Sequence, residues 1–344
     1  MTRSFVATDS GAQAWTVQRT VETAPCRIAA CVDASSLARK VTAHAVAIAK
    51  ALRAELTLIR VLEARPAGEA PADPVEWELR RREARDSVER LVDAQNDMVG
   101  PIKAEVIEGQ AAEQIWLWAR NHNVDLTVLC THGEGAPTSQ HLGNTARRVA
   151  DQNFGSLLLV PCSVADVRDV HYRRILVPLD GSSRAESALP LATRLAAAHQ
   201  GEIVLVHVVP IPELTEIGPL EGEALELRER LVRRNERVAQ KYLDRIRGQV
   251  AERGIAVRSL VLRDGDVRRR LVRSVTDEAA DLVILSAHGR SGHVDVPHGN
   301  IAAYQMTHTT TPLLIVRQRP VQSHRPLAPA TSCAELRLPE HATP

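Results

Sequence analysis

The chain has 344 residues, which is enough for about two domains of ordinary size. Its 43 Lys and Arg residues balance its 42 Asp and Glu residues, so the formal charge at pH 7 is only +1. This balance argues against nucleic acid and against an anionic membrane surface as partners, because both need a clustered basic excess. Aromatic residues make up only 3% of the chain, so we expect cores packed with aliphatic side chains.

The cysteine pattern predicts a reducing compartment. The five cysteines form no Cys-x-x-Cys pair and no zinc-binding spacing; they are Cys26, Cys31, Cys130, Cys162 and Cys333. The first residues lack the basic-then-apolar pattern of a signal peptide, and no apolar run approaches the ~20 residues that a membrane span requires. We therefore expect a cytoplasmic protein.

The chain contains the same pattern twice. A short aliphatic strand ends at Asp33 in the first half and at Asp180 in the second, and a later strand runs into His-Gly turns at 132–133 and 288–289. The two copies are offset by 147 residues through their second strands and by 156 residues from Gly265 onward. A duplicated domain with one net insertion of nine residues accounts for both offsets.

Strands and helices alternate along the first copy. The predicted strands cover 27–32, 56–61, 102–107, 124–130 and 156–160. The predicted helices cover 35–53, 75–98, 111–121 and 143–151. Short aliphatic strands alternating with helices of this length favour a parallel sheet covered on both faces.

The second copy repeats this order. Its predicted strands cover 175–179, 202–208, 256–262, 282–286 and 313–316. Its predicted helices cover 184–199, 225–253, 267–279 and 301–307. On the longest helix one apolar stripe is predicted to pack on the sheet, with a partner-binding face as the alternative; it consists of Leu227, Leu231, Val238, Tyr242 and Ile246.

The pattern predicts a division of the chain into five parts. These are a loose arm over 1–25, a first domain over 26–163, a linker over 164–172, a second domain over 173–319 and a disordered tail over 320–344.

Acidic residues and glycines converge on one predicted rim. Ligands of open parallel sheets bind beyond the carboxyl ends of the strands, and Asp33, Asp180 and both His-Gly turns follow strands. Glycines in such loops let backbone amides face a phosphate, and a helix start after Gly299 would supply free N–H groups. The alternatives are that each Asp only caps the next helix and that the loops bind nothing.

Histidines also surround the second loop. They are His288, His293, His298 and His308. We interpret them as solvated loop residues, because no spacing among them fits a metal pair carried on a helix. No metal site is expected.

Three segments of the second copy carry a family resemblance. They read Ile-Leu-Val-Pro-Leu-Asp-Gly-Ser at 175–182, Leu-Val-His-Val at 205–208 and Ala-His-Gly-Arg-Ser-Gly at 287–292. At these segments the chain resembles the universal stress protein family, and the resemblance extends from Arg27 to Val316. It implies an α/β fold of two repeated five-stranded parallel-sheet sandwiches of the adenine-nucleotide alpha-hydrolase-like (Rossmann-like) type, paired as an intramolecular pseudo-dimer.

The resemblance also implies binding residues. Nucleotide-binding members hold adenosine with the first-strand Asp and the residue that closes the second strand, and hold phosphates with a G-x2-G-x9-G-[S/T] loop. An ATP site in the second copy would comprise Asp180, Val208, Gly289, Arg290, Gly292, Gly299 and Asn300. A weaker site in the first copy would comprise Asp33, Val61, Gly133, Gly135, Gly143 and Asn144. Whether Mg²⁺ accompanies the nucleotide is left open.

Both loops depart from the family pattern. Only six residues separate Gly292 from Gly299, and Asn300 stands in place of the hydroxyl residue. The first copy loses one residue between Gly133 and Gly135, and its intervening residue is a glutamate that would repel phosphate. The second copy is therefore the better candidate.

Members of this family pair domains through the strand at the sheet edge, which implies pairing of 157–160 with 313–316. Such pairing would cover two aliphatic edges, and further self-association stays open.

Three functions remain. The first is a non-enzymatic stress protein that binds an adenine nucleotide and acts through its conformation or an unidentified protein partner. The second is a degenerate scaffold that binds no nucleotide. ATP hydrolysis has the least support, because no combination of metal-binding carboxylate, phosphate-binding lysine and positioned base is recognisable.

Overall fold

A computed structural model describes residues 26–63, 73–95, 100–133, 142–152, 155–213, 222–290 and 297–317. The predicted arm over 1–25 and the predicted tail over 320–344 lie outside these residues. Both halves follow the predicted order of elements, with ends that differ from the predictions by a few residues.

The first half contains five strands and four helices among the described residues. They are β1 (Arg27–Val32), α1 (Leu37–Leu52), β2 (Glu55–Leu62), α2 (Pro74–Asp93), β3 (Lys103–Glu108), α3 (Ala111–Asn121), β4 (Leu126–Cys130), α4 (Asn144–Gln152) and β5 (Ser156–Val160).

The second half repeats this order with one additional short helix. Its elements are β6 (Arg174–Pro178), α5 (Ser183–Glu186), α6 (Leu189–His199), β7 (Glu202–Pro210), α7 (Gly222–Ala251), β8 (Ala256–Asp264), α8 (Val267–Asp277), β9 (Leu282–Ser286), α9 (Asn300–His308) and β10 (Leu313–Val316). The prediction of one helix over 184–199 is wrong. Pro190 has no N–H with which to bond the carbonyl of Glu186, so the helix is interrupted between α5 and α6.

All ten strands form one sheet in the order β3-β2-β1-β4-β5-β10-β9-β6-β7-β8. Every neighbouring pair is parallel except β5 and β10, which pair antiparallel with Leu158 opposite Leu314. The predicted edge pairing and the intramolecular pseudo-dimer are confirmed. Within each half the chain order reverses beside the first strand, which opens a crevice between β1 and β4 and another between β6 and β9.

The core is continuous across the two halves on both faces of the sheet. On one face α1 packs with α6, and their buried residues join one cluster with Leu158 and Leu314. On the other face α4 and α9 contribute Val149 and Met306 to a second cluster over Leu157. The two copies therefore share their apolar interior.

A buried polar cluster also crosses the junction. His44 of α1 is 4% exposed, and its Nδ1 lies 2.8 Å from the hydroxyl of Tyr172. The Tyr172 ring packs edge-on against His199 of α6, with 5.1 Å between ring centroids. The Nε2 atom of His44 has no hydrogen-bond partner among the described residues, and burial lowers the pKa of His44 to about 4.

The predicted apolar stripe on the longest helix is confirmed at Tyr242 and Ile246, which pack on the core, and is wrong for its other three residues. Leu227, Leu231 and Val238 of α7 are exposed, whereas the sheet-facing side is formed by Val232, Ala239, Leu243, Ile246 and Val250. No residue of the first ten in α7 is buried, although Glu229 in this segment contacts Arg263 of β8.

Candidate functional site

Each half opens a cavity at its crevice, of about 500 Å³ in the first half and about 300 Å³ in the second. The first is lined by the predicted residues Asp33, Val61, Gly133, Gly143 and Asn144. The second is lined by the predicted residues Asp180, Val208, Gly289, Gly299 and Asn300. Gly135 and Gly292 lie outside the described residues. The structure thus brings ten of the predicted residues together at two cavities.

The first-strand aspartates hold the serines that follow them. Asp180 Oδ1 accepts hydrogen bonds from the N–H and the hydroxyl of Ser182, at 3.0 and 2.6 Å. The Ser182 hydroxyl in turn accepts the N–H of Ala185 at 3.1 Å, so the serine caps α5. Asp33 and Ser35 repeat this arrangement at 3.0 and 2.5 Å. The alternative that each Asp itself caps the next helix is wrong for Asp180, because Ser182 makes that bond; before α1 the Ser35 hydroxyl accepts the N–H of Leu37 at 3.2 Å.

The second carboxylate oxygen of Asp180 holds the loop after β9. It accepts the N–H of Arg290 at 2.6 Å, which places Arg290 beside the cavity by its backbone. A Cβ atom on Gly289 would overlap the same oxygen, so the close approach requires glycine. At the first-half counterpart, a Cβ atom on Gly133 would lie 3.3 Å from Asp33 Oδ2.

A glycine precedes the helix start in each cavity. Gly299 donates its N–H to the Ala287 carbonyl at 2.8 Å, and Gly143 donates to the Thr131 carbonyl at 2.9 Å. Gly299 is the N-cap of α9 and has no side chain to bond the first N–H groups of that helix. These groups and the positive end of the helix dipole create a favourable position for an anion beside Asn300.

The second strands differ between the copies. Val61 and Val208 occupy equivalent positions, but the residue before each is Arg60 in β2 and His207 in β7. His207 Nδ1 lies 2.7 Å from the carbonyl of Leu179, which joins the ends of two strands. Arg60 lines the larger cavity together with Arg80 of α2. The 147-residue offset could have identified Arg60, although the sequence analysis did not single it out.

The loop of the second cavity is linked to the first half. Arg317 Nη2 donates to the carbonyls of Ala150 at 2.6 Å and of Pro297 at 3.0 Å. His298 Nδ1 lies 3.9 Å from a carboxylate oxygen of Asp151, and burial lowers the pKa of His298 although Asp151 opposes this effect. These contacts cross the junction, so no local sequence pattern indicates them.

The expectation that the loop histidines are solvated is wrong for one of them. The side chain of His298 is only 15% exposed. His308 is exposed and stacks on Tyr304, with 3.8 Å between the ring centroids. His288 lines the second cavity. His293 lies outside the described residues.

No group of three or more His, Cys, Asp or Glu residues in the described ranges is arranged to hold a metal ion. The described helices include none that is long and apolar enough to cross a membrane.

A profile of the Universal stress protein family matches residues 26–161 and 171–317. The chain belongs to this family. It is a tandem member, because the profile matches once in each half, and the predicted resemblance is confirmed.

Relatives agree with this assignment. A universal stress protein of Methanocaldococcus jannaschii is 22% identical over 159 residues, which cover 44% of this chain and 98% of the relative. One of Mycobacterium tuberculosis is 24% identical over 204 residues, covering 58% of this chain and 63% of the relative. The crystal structure of a universal stress protein from Archaeoglobus fulgidus has a TM-score of 0.58 at 17% identity, covering 85% of this chain and 96% of that one, which supports the fold.

Proposed function

We propose that this tandem universal stress protein binds ATP or a related adenine nucleotide in its second-half cavity, without turnover, and acts through its conformation or partner binding. The observation that carries the proposal is the convergence of Asp180, Val208 and the glycine-started helix α9 on one cavity of about 300 Å³. We also propose that the two domains cover 26–163 and 173–319, that a linker covers 164–172, and that the protein is cytoplasmic.

The chemistry of the cavity suits the two ends of a nucleotide. A carboxylate accepts about four hydrogen bonds, and three at Asp180 come from Ser182 and Arg290. The remaining acceptor position suits a hydroxyl of the ribose. At the other end of the cavity, the first N–H groups of α9 and the amide of Asn300 suit phosphate oxygens.

The lining of the cavity favours binding without hydrolysis. Among the described lining residues, Asp180 is the only acidic side chain and lysine does not occur. Phosphoryl transfer normally uses a metal-binding carboxylate, a cation on the phosphates and a positioned base. Asp180 is already engaged by the loop that it holds.

The alternative function is a scaffold that binds no nucleotide. It is favoured by the six residues between Gly292 and Gly299, three fewer than the family pattern has, and by Asn300 in place of a hydroxyl residue. Nucleotide titration of the full chain separates these two functions.

Isothermal titration with ATP, AMP and cAMP tests the proposal; cAMP is included because the structure of another universal stress protein is a complex with it. Val208→Phe would fill the second cavity, and Val61→Phe is the matched variant of the first. We expect saturable heat for the unmodified chain and for Val61→Phe, and none for Val208→Phe. Thermal melting of both variants checks that they fold.

Each other result has a definite meaning. No heat from the unmodified chain at millimolar nucleotide would establish the scaffold alternative. Loss of binding in Val61→Phe alone would move the site to the first half. Steady release of phosphate from ATP, absent in Val208→Phe, would show an enzyme.

A further inference from the structure

The helix α7 is ten residues longer than its counterpart α2, with 30 residues against 20. The insertion that separates the two copies falls in this region of the sequence. The first buried residue of α7 is Val232, so the segment from Gly222 to Leu231 packs on no part of the core. Among the described residues α2 also begins with ten residues before its first buried one, Ala84, so the two helices differ in length and not in having an unburied start.

The exposed side of α7 carries apolar side chains in a narrow line. Leu227, Leu231 and Val238 are 62%, 41% and 57% exposed, and we call these three residues the α7 seam. At 100° per residue they lie within about 40° of one another around the helix. Their spacing of four and seven residues is the spacing of one side of a heptad repeat.

Positive charge flanks the α7 seam. The exposed basic residues that flank it on one side form a row of Arg230, Arg234, Arg237 and Lys241. Arg234, seven residues after Leu227, lies only about 20° from it around the helix, and the others lie farther to the same side. Two acidic residues, Glu229 and Glu236, turn the other way and pair with Arg263 of β8 at 3.3 and 2.5 Å. A third, Glu226, lies 3.9 Å from Arg230 and opposes the positive charge at that end of the row.

The charge pattern identifies the kind of partner. A second copy of this chain would bring one cationic row against another, which like-charge repulsion disfavours. A bilayer surface is bound by helices with a wide apolar face that often includes aromatic residues, whereas the α7 seam is narrow and aliphatic. A narrow seam beside a row of Arg and Lys matches an amphipathic helix that carries acidic residues beside its own apolar seam.

We propose that the α7 seam binds an acidic amphipathic helix of another protein in a coiled-coil arrangement. This surface lies outside both cavities, so the proposal does not depend on nucleotide binding. The apolar contacts supply most of the affinity, and the cationic row selects acidic partners over basic ones.

A designed peptide tests the proposal with the full chain. The probe is a labelled helix of about four heptads with Leu at positions a and d and Glu at e and g, so that self-pairing is opposed by charge. We expect saturable binding by fluorescence anisotropy that weakens with added salt. Replacing the seam by Ser at Leu227, Leu231 and Val238 should weaken binding at least about tenfold, as should Arg234→Glu combined with Arg237→Glu.

The first copy offers a matched control. Val75 and Leu79 of α2 are 67% and 57% exposed, so replacing both by Ser should leave peptide binding unchanged. Seam and control residues are exposed, and circular dichroism melting should show the same midpoint for each variant as for the parent.

Four results would overturn the proposal. They are no peptide binding, equal binding of a peptide with Lys at e and g, equal binding by the seam variant, and equal loss in the α2 control. Binding to phosphatidylserine vesicles that the seam variant loses, without peptide binding, would assign the surface to a membrane. A doubled mass in light scattering that the seam variant restores to a monomer would assign it to a second copy.

Discussion

The two cavities share one hydrogen-bond framework and differ in how their loops meet the first-strand aspartate. The bonds from Gly143 to Thr131 and from Gly299 to Ala287 are equivalent at the 156-residue offset. In the second cavity, however, the loop approaches Asp180 so closely that only glycine fits at 289. The first cavity is wider and has Arg60 in place of a histidine.

This comparison distinguishes the main-chain bonds that the fold keeps in both copies from the side chains that differ between them. Main-chain bonds at the rim follow from the register of the parallel strands, so both copies retain them after extensive sequence change. Other side chains that line the cavities have diverged, as Arg60 and His207 show. The same rim therefore supports two cavities of different volume and charge.

The largest predicted effect concerns the junction, where His44 of the first half corresponds to Leu191 of the second. Folding keeps His44 neutral, with a pKa of about 4 against the ordinary value of about 6.5. Between these two pH values His44 is protonated in the unfolded chain and neutral in the folded chain. Stability is therefore complete above about pH 6.5, and about 3 kcal/mol of it is lost as the pH falls to about 4.

Urea unfolding at several pH values measures this effect. His44→Leu should be less stable at pH 7, because the Tyr172 hydroxyl loses its partner, but its stability should fall less on acidification. His122→Gln, at an exposed position, should behave as the parent does. An identical pH profile for His44→Leu and the parent would contradict this account.

The second prediction compares alanine substitutions at Gly289 and at Gly133, its counterpart in the first half. Gly289→Ala should cost about 2 kcal/mol of stability, because Asp180 must move and its bond to Arg290 is lost. Gly133→Ala should cost less than about 1 kcal/mol, because a shift of a few tenths of an ångström relieves the contact. Equal losses in urea unfolding would mean that the two loops meet their aspartates alike.

The third prediction concerns Arg317, which follows β10 and joins Pro297 of the second loop to Ala150 of the first half. The residue that corresponds to Arg317 is Pro161, which has no guanidinium to make the same contact. Arg317→Met should weaken the proposed nucleotide binding about fivefold, or about 1 kcal/mol, by loosening Pro297. Titration in the Val61→Phe background isolates the second cavity, and an unchanged affinity would show that the contact does not position the loop.

The smallest predicted effect is a loss of stability that is larger in the first half than in the second, the opposite of the second prediction. A Cβ atom on Gly143 would lie 3.1 Å from the Thr131 carbonyl oxygen, whereas one on Gly299 would lie 3.6 Å from the Ala287 carbonyl oxygen. Gly143→Ala should therefore destabilise more than Gly299→Ala, by less than about 1 kcal/mol. Thermal melting of the two variants tests this order. If the first half simply tolerated substitutions better, Gly143→Ala would destabilise the protein less than Gly299→Ala.

The sequence predicted the sheet, the pairing of its two halves and most of the cavity lining. Strand ends and glycines repeat at fixed offsets, and the switch-point rule brings them to one rim. The contact of Arg317 with Ala150 and Pro297 could not be predicted in this way, because it depends on how two halves dock. The α7 stripe was wrong at Leu227, Leu231 and Val238, because periodicity shows that a helix has an apolar side but not which of these residues reach the core.

The antiparallel pairing of β5 with β10 sets the direction in which the two cavities open. Because the strands run parallel within each half, those of the second half point opposite to those of the first. The two mouths therefore open at opposite edges of one sheet. A molecule at one mouth would not reach across to the sheet edge that holds the other.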